Sequence, residues 1–210
     1  MRPIVCLISD RHRDEDQEAA RLIDRVAAAA RAGITLVQLR ERDMGGRALT
    51  TLVRRCVDAV RGTPARVVVN DRVDVALAAG AHGVQLRGDS VPAPRVRAIA
   101  PPGFLLGRSV HDVSQAQAAA RAGGLDYLVF GTTFATASKP GHAPAGIAAL
   151  RDVVEASSLP VLAVGGIMVN RLAAVAATGA AGFAAIGLFC DASDLDGTMR
   201  AARSAWRSGT

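Results

Sequence analysis

The chain has 210 residues, and its 24 arginines and one lysine outnumber 19 acidic residues, which gives a formal charge of +6. Half of the residues are hydrophobic and 21% are charged, a balance that excludes intrinsic disorder and allows a full core. The apolar runs are too short for a membrane helix, and three scattered cysteines without a CxxC pair exclude a disulfide framework. We expect a cytoplasmic protein with no membrane partner.

Eight short apolar runs recur along the chain, and segments with helical spacing lie between them. The runs are rich in Val, Ile and Leu and alternate little, which is typical of strands buried on both faces. They are Ile4–Ile8, Thr35–Leu39, Arg66–Val69, Gly83–Leu86, Phe104–Leu106, Tyr127–Phe130, Pro160–Val164 and Phe183–Ile186. Eight such β-then-α units predict one α/β domain over residues 1–210, a compact TIM (β/α)8 barrel.

Polar side chains follow most of the predicted strands. In this fold the active site lies at the carboxyl ends of the strands, so these residues are candidates for function. They include Gln38 and Arg40 after the second strand, Asn70 and Asp71 after the third, Asp89 after the fourth, and Ser109 and His111 after the fifth. An imidazole titrates near neutral pH, which makes His111 the candidate acid or base.

Glycines follow the last two strands, and a long loop follows the sixth. Gly165, Gly166 and Gly187 are candidates for phosphate binding, because glycine lets backbone N–H groups approach an anion closely; a tight turn is the alternative explanation. The loop 131–146 contains Thr136, Ser138 and Lys139, two hydroxyls and the single lysine of the chain, which suit a diphosphate. A mobile surface loop is the alternative there.

The high arginine content raises nucleic acid as a partner, but the distribution of charge argues against it. Most arginines are spread singly along helical segments with acidic residues nearby, and seven aromatic residues cannot form a stacking platform. We therefore expect no nucleic-acid partner, and we leave open whether the chain forms a homodimer.

Taken together in chain order, these segments resemble the thiamine-phosphate synthases and their TenI-type relatives, the thiazole tautomerases. The resemblance covers nearly the whole chain. It is carried by Leu7–Asp10, Val37–Arg42, Val69–Ala76, Gly83–Leu86, Gly107–His111, Asp126–Gly131, the Thr-x-Ser-Lys loop and Ala163–Ile167. The barrel fold agrees with this resemblance.

For a synthase, the resemblance implies that a pyrimidine diphosphate is bound through Gln38, Arg40, Asn70, Thr136, Ser138 and Lys139. Mg²⁺ is implied on Asp71 and on a second aspartate after the fourth strand. Diphosphate leaves, and the thiazole nitrogen of a thiazole phosphate captures the pyrimidinyl cation. The phosphate of that second substrate is then held at Gly166 and Gly187.

Three positions depart from the synthase pattern, which usually has a histidine where this chain has Gln85 and an aspartate where it has Ser90. Asp89 is one position early, and Arg42 stands where a lysine is usual. Three motifs, Arg40–Arg42, Val84–Leu86 and Gly107–His111, are closer to the TenI type. We therefore expect a thiazole tautomerase that needs no cofactor, in which His111 moves a proton on a carboxythiazole phosphate. The synthase and a catalytically silent regulator that binds the same phosphates are the alternatives.

Overall fold

Eight parallel strands form a closed barrel in the computed structural model, which describes residues 2–9, 18–136, 141 and 143–210. Each strand pairs with the next in the chain, and β1 closes the barrel by pairing with β8. The strands are β1 (Ile4–Ile8), β2 (Leu36–Leu39), β3 (Arg66–Asn70), β4 (Gly83–Leu86), β5 (Leu105–Val110), β6 (Tyr127–Phe130), β7 (Val161–Val164) and β8 (Gly182–Ala185). The predicted barrel is confirmed.

Helices follow the strands and cover the outside of the barrel. They are α1 (Glu18–Arg31), α2 (Gly46–Ala59), α3 (Val73–Ala78), α4 (Ala93–Arg97), α5 (Val113–Ala122), α6 (Gly146–Ala156), α7 (Leu172–Ala176), α8 (Gly187–Cys190) and α9 (Leu195–Arg207), with a 3-10 turn at Val169–Arg171. Within the described ranges no helix is long and apolar enough to cross a membrane.

The fifth strand is longer than its apolar run predicts. We expected Phe104–Leu106, but β5 continues to Val110, so Ser109 lies within the strand rather than after it. Neighbours on both sides hold this extension: Arg108 pairs with Leu86 of β4 and with Leu128 of β6. A search for apolar runs misses such a segment, because the hydrogen bonds between strands join backbone groups and form whatever the side chains are.

Two apolar clusters divide the core. One lies between the barrel and its helices and includes Val37, Val67 and Leu106; the other fills the barrel interior and includes Leu36, Val68 and Leu162. Successive side chains of a strand point to opposite faces, so the next inward position on each strand lies two residues further on. On β2, β3, β4 and β5 those upper inward positions are polar, and they are Gln38, Asn70, Gln85 and Ser109.

Candidate active site

A cavity of about 770 Å³ opens at the carboxyl ends of the strands, within the range of sites that bind small molecules. Several residues proposed from the sequence line it together: Gln38, Arg40, Asn70, Asp89, Ser109, His111, Thr136 and Gly165. Asp71, Gly166 and Gly187 are not among the lining residues. Ser138 and Lys139 lie outside the described residues, so their predicted role stays a prediction.

The floor of the cavity contains a pair of amides on adjacent strands. The Gln38 side chain is buried at the end of β2 and donates from Nε2 to Oδ1 of Asn70 at 3.0 Å. This bond uses one donor of Gln38 and one acceptor site of Asn70. The side-chain oxygen of Gln38 can still accept a hydrogen bond, and the side-chain NH₂ group of Asn70 can still donate one, to a heterocyclic ligand.

The backbone of Arg40 is anchored to the first strand. Its N–H donates to Oγ of the buried Ser9 at 2.9 Å, and the Ser9 hydroxyl in turn donates to the carboxylate of Glu41. Glu41 is only 5% exposed, so this carboxylate depends on hydrogen-bond donors inside the protein. The segment that places Arg40 at the rim is therefore held by a buried polar contact.

A second amide contact lies on the other side of the interior. Gln85, at the position where the synthase pattern usually has histidine, donates from Nε2 to Oγ of Ser109 at 3.2 Å. Its Oε1 is buried without a partner in the described structure, as is the hydroxyl of Tyr127 on β6. Gly107 lies between these two side chains, and a Cβ atom there would collide with both Gln85 Oε1 and the Tyr127 ring.

His111 lies at the mouth of the cavity directly after β5. Its Nδ1 contacts the carbonyl oxygen of Gly131, and its backbone N–H donates to Oε1 of Gln115 at 3.0 Å. Because a carbonyl oxygen only accepts, the contact assigns the Nδ1 proton to the neutral ring. Nε2 is then the acceptor, so the geometry prepares His111 as a general base.

Asp71 and Asp89, the two carboxylates proposed for Mg²⁺, lie on either side of the Arg87 guanidinium. Nη1 of Arg87 is 3.6 Å from Oδ2 of Asp71, and Nη2 is 2.6 Å from Oδ2 of Asp89. The hydroxyl of Ser90 donates to the other oxygen of Asp71. Among the described residues, no three His, Cys, Asp or Glu side chains are grouped to hold a metal ion. Because the Arg87 guanidinium already lies against both carboxylates, and Ser90 stands where a second aspartate is implied, these residues do not fit a Mg²⁺ site.

The glycines after β7 make room for the loop after β6. Both have positive φ, 101° at Gly165 and 60° at Gly166, and a Cβ on Gly165 would come within 2.6 Å of the Thr132 side chain. Arg171 donates to the Gly166 carbonyl oxygen at 2.6 Å and lies over the Phe134 ring. Close packing of two loops therefore explains both glycines. Gly187 is the first residue of α8.

The charge of the cavity is the feature that sequence reasoning underestimated. Arg40, Arg42, Arg87 and Arg108 line it, against the single described carboxylate of Asp89. Arg87 and Arg108 were not predicted as site residues, although Arg87 directly follows β4 and Arg108 lies close to the carboxyl end of β5, which is the signal that selected the others. This surplus of guanidinium groups is suited to a phosphorylated ligand.

Comparison with known proteins places this site in a family context. A sequence model of thiamine monophosphate synthase matches residues 5–189. A thiamine-phosphate synthase of Roseiflexus castenholzii is 42% identical over 201 residues, which cover 95% of this chain and 86% of the relative. That of Methanoculleus marisnigri is 41% identical over 181 residues, covering 86% and 85%. The solved structure of a thiamine phosphate pyrophosphorylase from Pyrococcus furiosus superposes with a TM-score of 0.84 and 30% identity, over 98% and 96% of the two chains.

Proposed function

The chain belongs to the thiamine monophosphate synthase family, and from this premise we propose that it is a thiamine-phosphate synthase. It would join hydroxymethylpyrimidine diphosphate to a thiazole phosphate and release diphosphate. The motif comparison favoured a tautomerase; the relatives described above carry the synthase or pyrophosphorylase name, and we give that reaction precedence. The observation that carries the proposal is an amide pair, Gln38 and Asn70, beneath a rim of arginines in one cavity.

The amide pair suits the pyrimidine ring of the first substrate. An aminopyrimidine presents ring nitrogens that accept and an amino group that donates, and a free amide oxygen and amide N–H group match both. Because Gln38 is held by Asn70 at 3.0 Å, its orientation is set before the substrate arrives. Such preorganisation lowers the ordering cost of binding and reaction.

The arginines suit the leaving group. When the bond between the pyrimidine methylene carbon and the diphosphate oxygen breaks, negative charge accumulates on the diphosphate. Guanidinium groups stabilise that charge, and they do so more strongly where a cavity excludes water. The thiazole nitrogen then donates its electron pair to the methylene carbon, and the new C–N bond completes thiamine phosphate.

The second substrate would have its phosphate at the loops after β7 and β8. Gly165, Gly166 and Gly187 are the candidates, with backbone N–H groups as donors. Thr136 lines the cavity from the loop after β6, and together with Ser138 and Lys139 it would contribute to diphosphate binding. This arrangement would set the thiazole nitrogen against the pyrimidine methylene carbon.

The direct test is to incubate the purified chain with both substrates. Chromatography measures the thiamine phosphate formed, and an enzyme-coupled assay measures the diphosphate released. Gln38→Ala should lose most of the joining activity, whereas Gln117→Ala, an exposed change on α5 away from the cavity lining, should retain it. If no thiamine phosphate forms with the wild-type chain, the proposal is wrong.

The tautomerase is kept as a second candidate because of His111. Its Nε2 is the free ring position, and proton transfer on a carboxythiazole phosphate needs neither a diphosphate leaving group nor Mg²⁺. The same preparation should therefore also be offered the carboxythiazole phosphate. Turnover that falls sharply in His111→Ala would favour this reaction, and unchanged turnover would remove His111 from it. Ligand binding without either turnover would indicate a regulator.

A further inference from the structure

The loop after β4 folds back onto the residue that follows β3. The hydroxyl of Ser90 donates to Oδ1 of Asp71 and accepts the backbone N–H of Arg87 at 2.8 Å. The backbone N–H of Asp71 donates to the carbonyl oxygen of Gln85 at 2.9 Å, which holds Asp71 beside β4. Asp71 therefore has one carboxylate oxygen committed to Ser90 and the other turned toward Arg87.

The guanidinium of Arg87 lies between the carboxylates of Asp71 and Asp89. Its guanidinium is 2.6 Å from Asp89 and 3.6 Å from Asp71, and the same side chain lines the cavity. A guanidinium has five N–H donors, and two carboxylate contacts leave others for an anion in the cavity. The planar fork also matches the geometry of phosphate oxygens.

Arg108, in β5, places a second guanidinium group against the same loop. Its guanidinium donates to the carbonyl oxygens of Gly88 at 3.1 Å and Val91 at 2.7 Å, and it interacts with the charge of Asp71. A divalent ion on Asp71 would face both guanidinium groups, and like charges at short range repel strongly where solvent is partly excluded. Two guanidinium groups, held by carboxylates and by carbonyl oxygens of the loop, therefore lie where Mg²⁺ is implied by the family resemblance.

We propose that the Arg87 guanidinium takes the place of the divalent cation, so that this cavity binds diphosphate without a metal ion. The inference rests on the proposed function only for its choice of diphosphate as the anion. Asp71 and Asp89 then serve as positioning residues that hold Arg87, rather than as metal ligands.

Titration calorimetry with inorganic diphosphate tests the inference on the full chain. Wild-type protein should bind diphosphate with the same affinity in EDTA and in excess Mg²⁺, and Mg²⁺ alone should give no saturable binding. Arg87→Met should weaken diphosphate binding roughly tenfold or more, the scale expected for lost charge-assisted hydrogen bonds. Arg95→Met, at an exposed arginine of α4 that is not among the lining residues, is the matched control.

Binding that requires Mg²⁺, or equal affinity in Arg87→Met, would overturn the inference. The comparison of EDTA with Mg²⁺ needs only wild-type protein, so it stands even where the variant does not fold. Metal-free diphosphate binding without any joining of the two substrates would overturn the proposed function alone. Joining together with Mg²⁺-dependent diphosphate binding would overturn this inference alone.

Discussion

The Nε2 atom of Gln38 lies 3.0 Å from Oδ1 of Asn70, so two amides from adjacent strands act as one rigid unit beneath the cavity. The cavity above them is lined by four arginines, and the surrounding loops contact one another through side chains such as those of Ser90 and Asp71. In the proposed reaction, the amide pair would orient the pyrimidine ring and the arginines above it would bind the diphosphate.

Asn70→Ala should impair catalysis more than folding. The change frees the Gln38 amide to rotate, so kcat/KM for joining should fall by roughly ten- to a hundredfold, as lost positioning commonly does. Steady-state kinetics measure the effect, with Asn170→Ala, an exposed position in the 3-10 turn, as the control. A wild-type value in Asn70→Ala would show that the pair does not orient substrate.

Tyr127→Phe should leave the free energy of unfolding unchanged or raise it by up to about 1 kcal/mol. The Tyr127 hydroxyl is buried and has no hydrogen-bond partner among the described residues, and burial raises the pKa of this phenol well above its ordinary value, so the group stays neutral. Urea unfolding monitored by circular dichroism measures the difference.

Ser9→Ala provides the contrast, because the Ser9 hydroxyl is satisfied and supports the buried Glu41 carboxylate. Its loss should cost about 1–3 kcal/mol, the usual penalty for a buried polar group left without its partner. A destabilised Tyr127→Phe together with an unaffected Ser9→Ala would contradict this account of the interior.

His82 should make stability depend on pH. Burial and the charge of Arg66 lower the pKa of its imidazole, whose Nδ1 accepts the Val67 N–H at 3.0 Å. The folded state therefore binds the proton less readily than the unfolded state does. The contribution of His82 to the free energy of unfolding is therefore full above the unfolded-state pKa of about 6.5. It is lost as the pH falls from that value toward the lower pKa of the folded state.

The melting temperature between pH 5 and pH 8, compared among three proteins, measures this effect. Asn at position 82 keeps an acceptor but does not titrate, so His82→Asn should flatten the wild-type slope. His111→Asn leaves His82 in place and should retain the slope. Equal slopes in wild type and His82→Asn would exclude this role for His82.

The cysteines should differ in reactivity. Burial raises the pKa of the Cys6 thiol to about 12, and it raises that of Cys56 to about 12 as well, whereas Cys190 is only partly buried. The thiolate is the reactive form, so a maleimide at neutral pH should modify Cys190 first and the other two only after unfolding. Intact-mass spectrometry with and without urea counts the modified thiols, and early modification of Cys6 would contradict the prediction.

Lys139→Arg should weaken diphosphate binding. The prediction comes from the sequence: one lysine among 24 arginines falls in the loop that the resemblance assigns to diphosphate, and the two cations differ in shape. Calorimetry with inorganic diphosphate measures it, and Arg151→Lys on the exposed face of α6 is a control for charge-preserving exchange. Equal affinity would make the lysine an accident of composition.

Much of the fold follows from pattern alone. Eight short apolar runs separated by segments with helical spacing predict the barrel, because buried parallel strands and the helices that cover them impose these patterns on the sequence. The start of α5 follows a local pattern of the same kind, because the side chain of Asp112 caps the helix by accepting the Gln115 N–H. The end of β5 was missed because its polar residues are held by neighbouring strands.

The candidate site likewise has features that the sequence predicts and features that it does not. Strand ends in this fold meet at one rim, so position in the chain was enough to select Gln38, Asn70 and His111. It was not enough to distinguish a metal ligand from a residue that holds an arginine. Asp71 and Asp89 lie 18 positions apart, and the sequence carries no sign that Arg87 extends between them.

By itself, then, the sequence determined the barrel, the family and the end of the barrel at which the candidate site lies, since these depend on local period and on motif order. Only the tertiary structure decided how the rim is charged and connected. Contacts such as that of Ser90 with Asp71 depend on the packing of loops from different strands, and side-chain direction over such distances is not encoded in any local pattern. The arginine surplus that first suggested nucleic acid is, in part, the lining of this cavity.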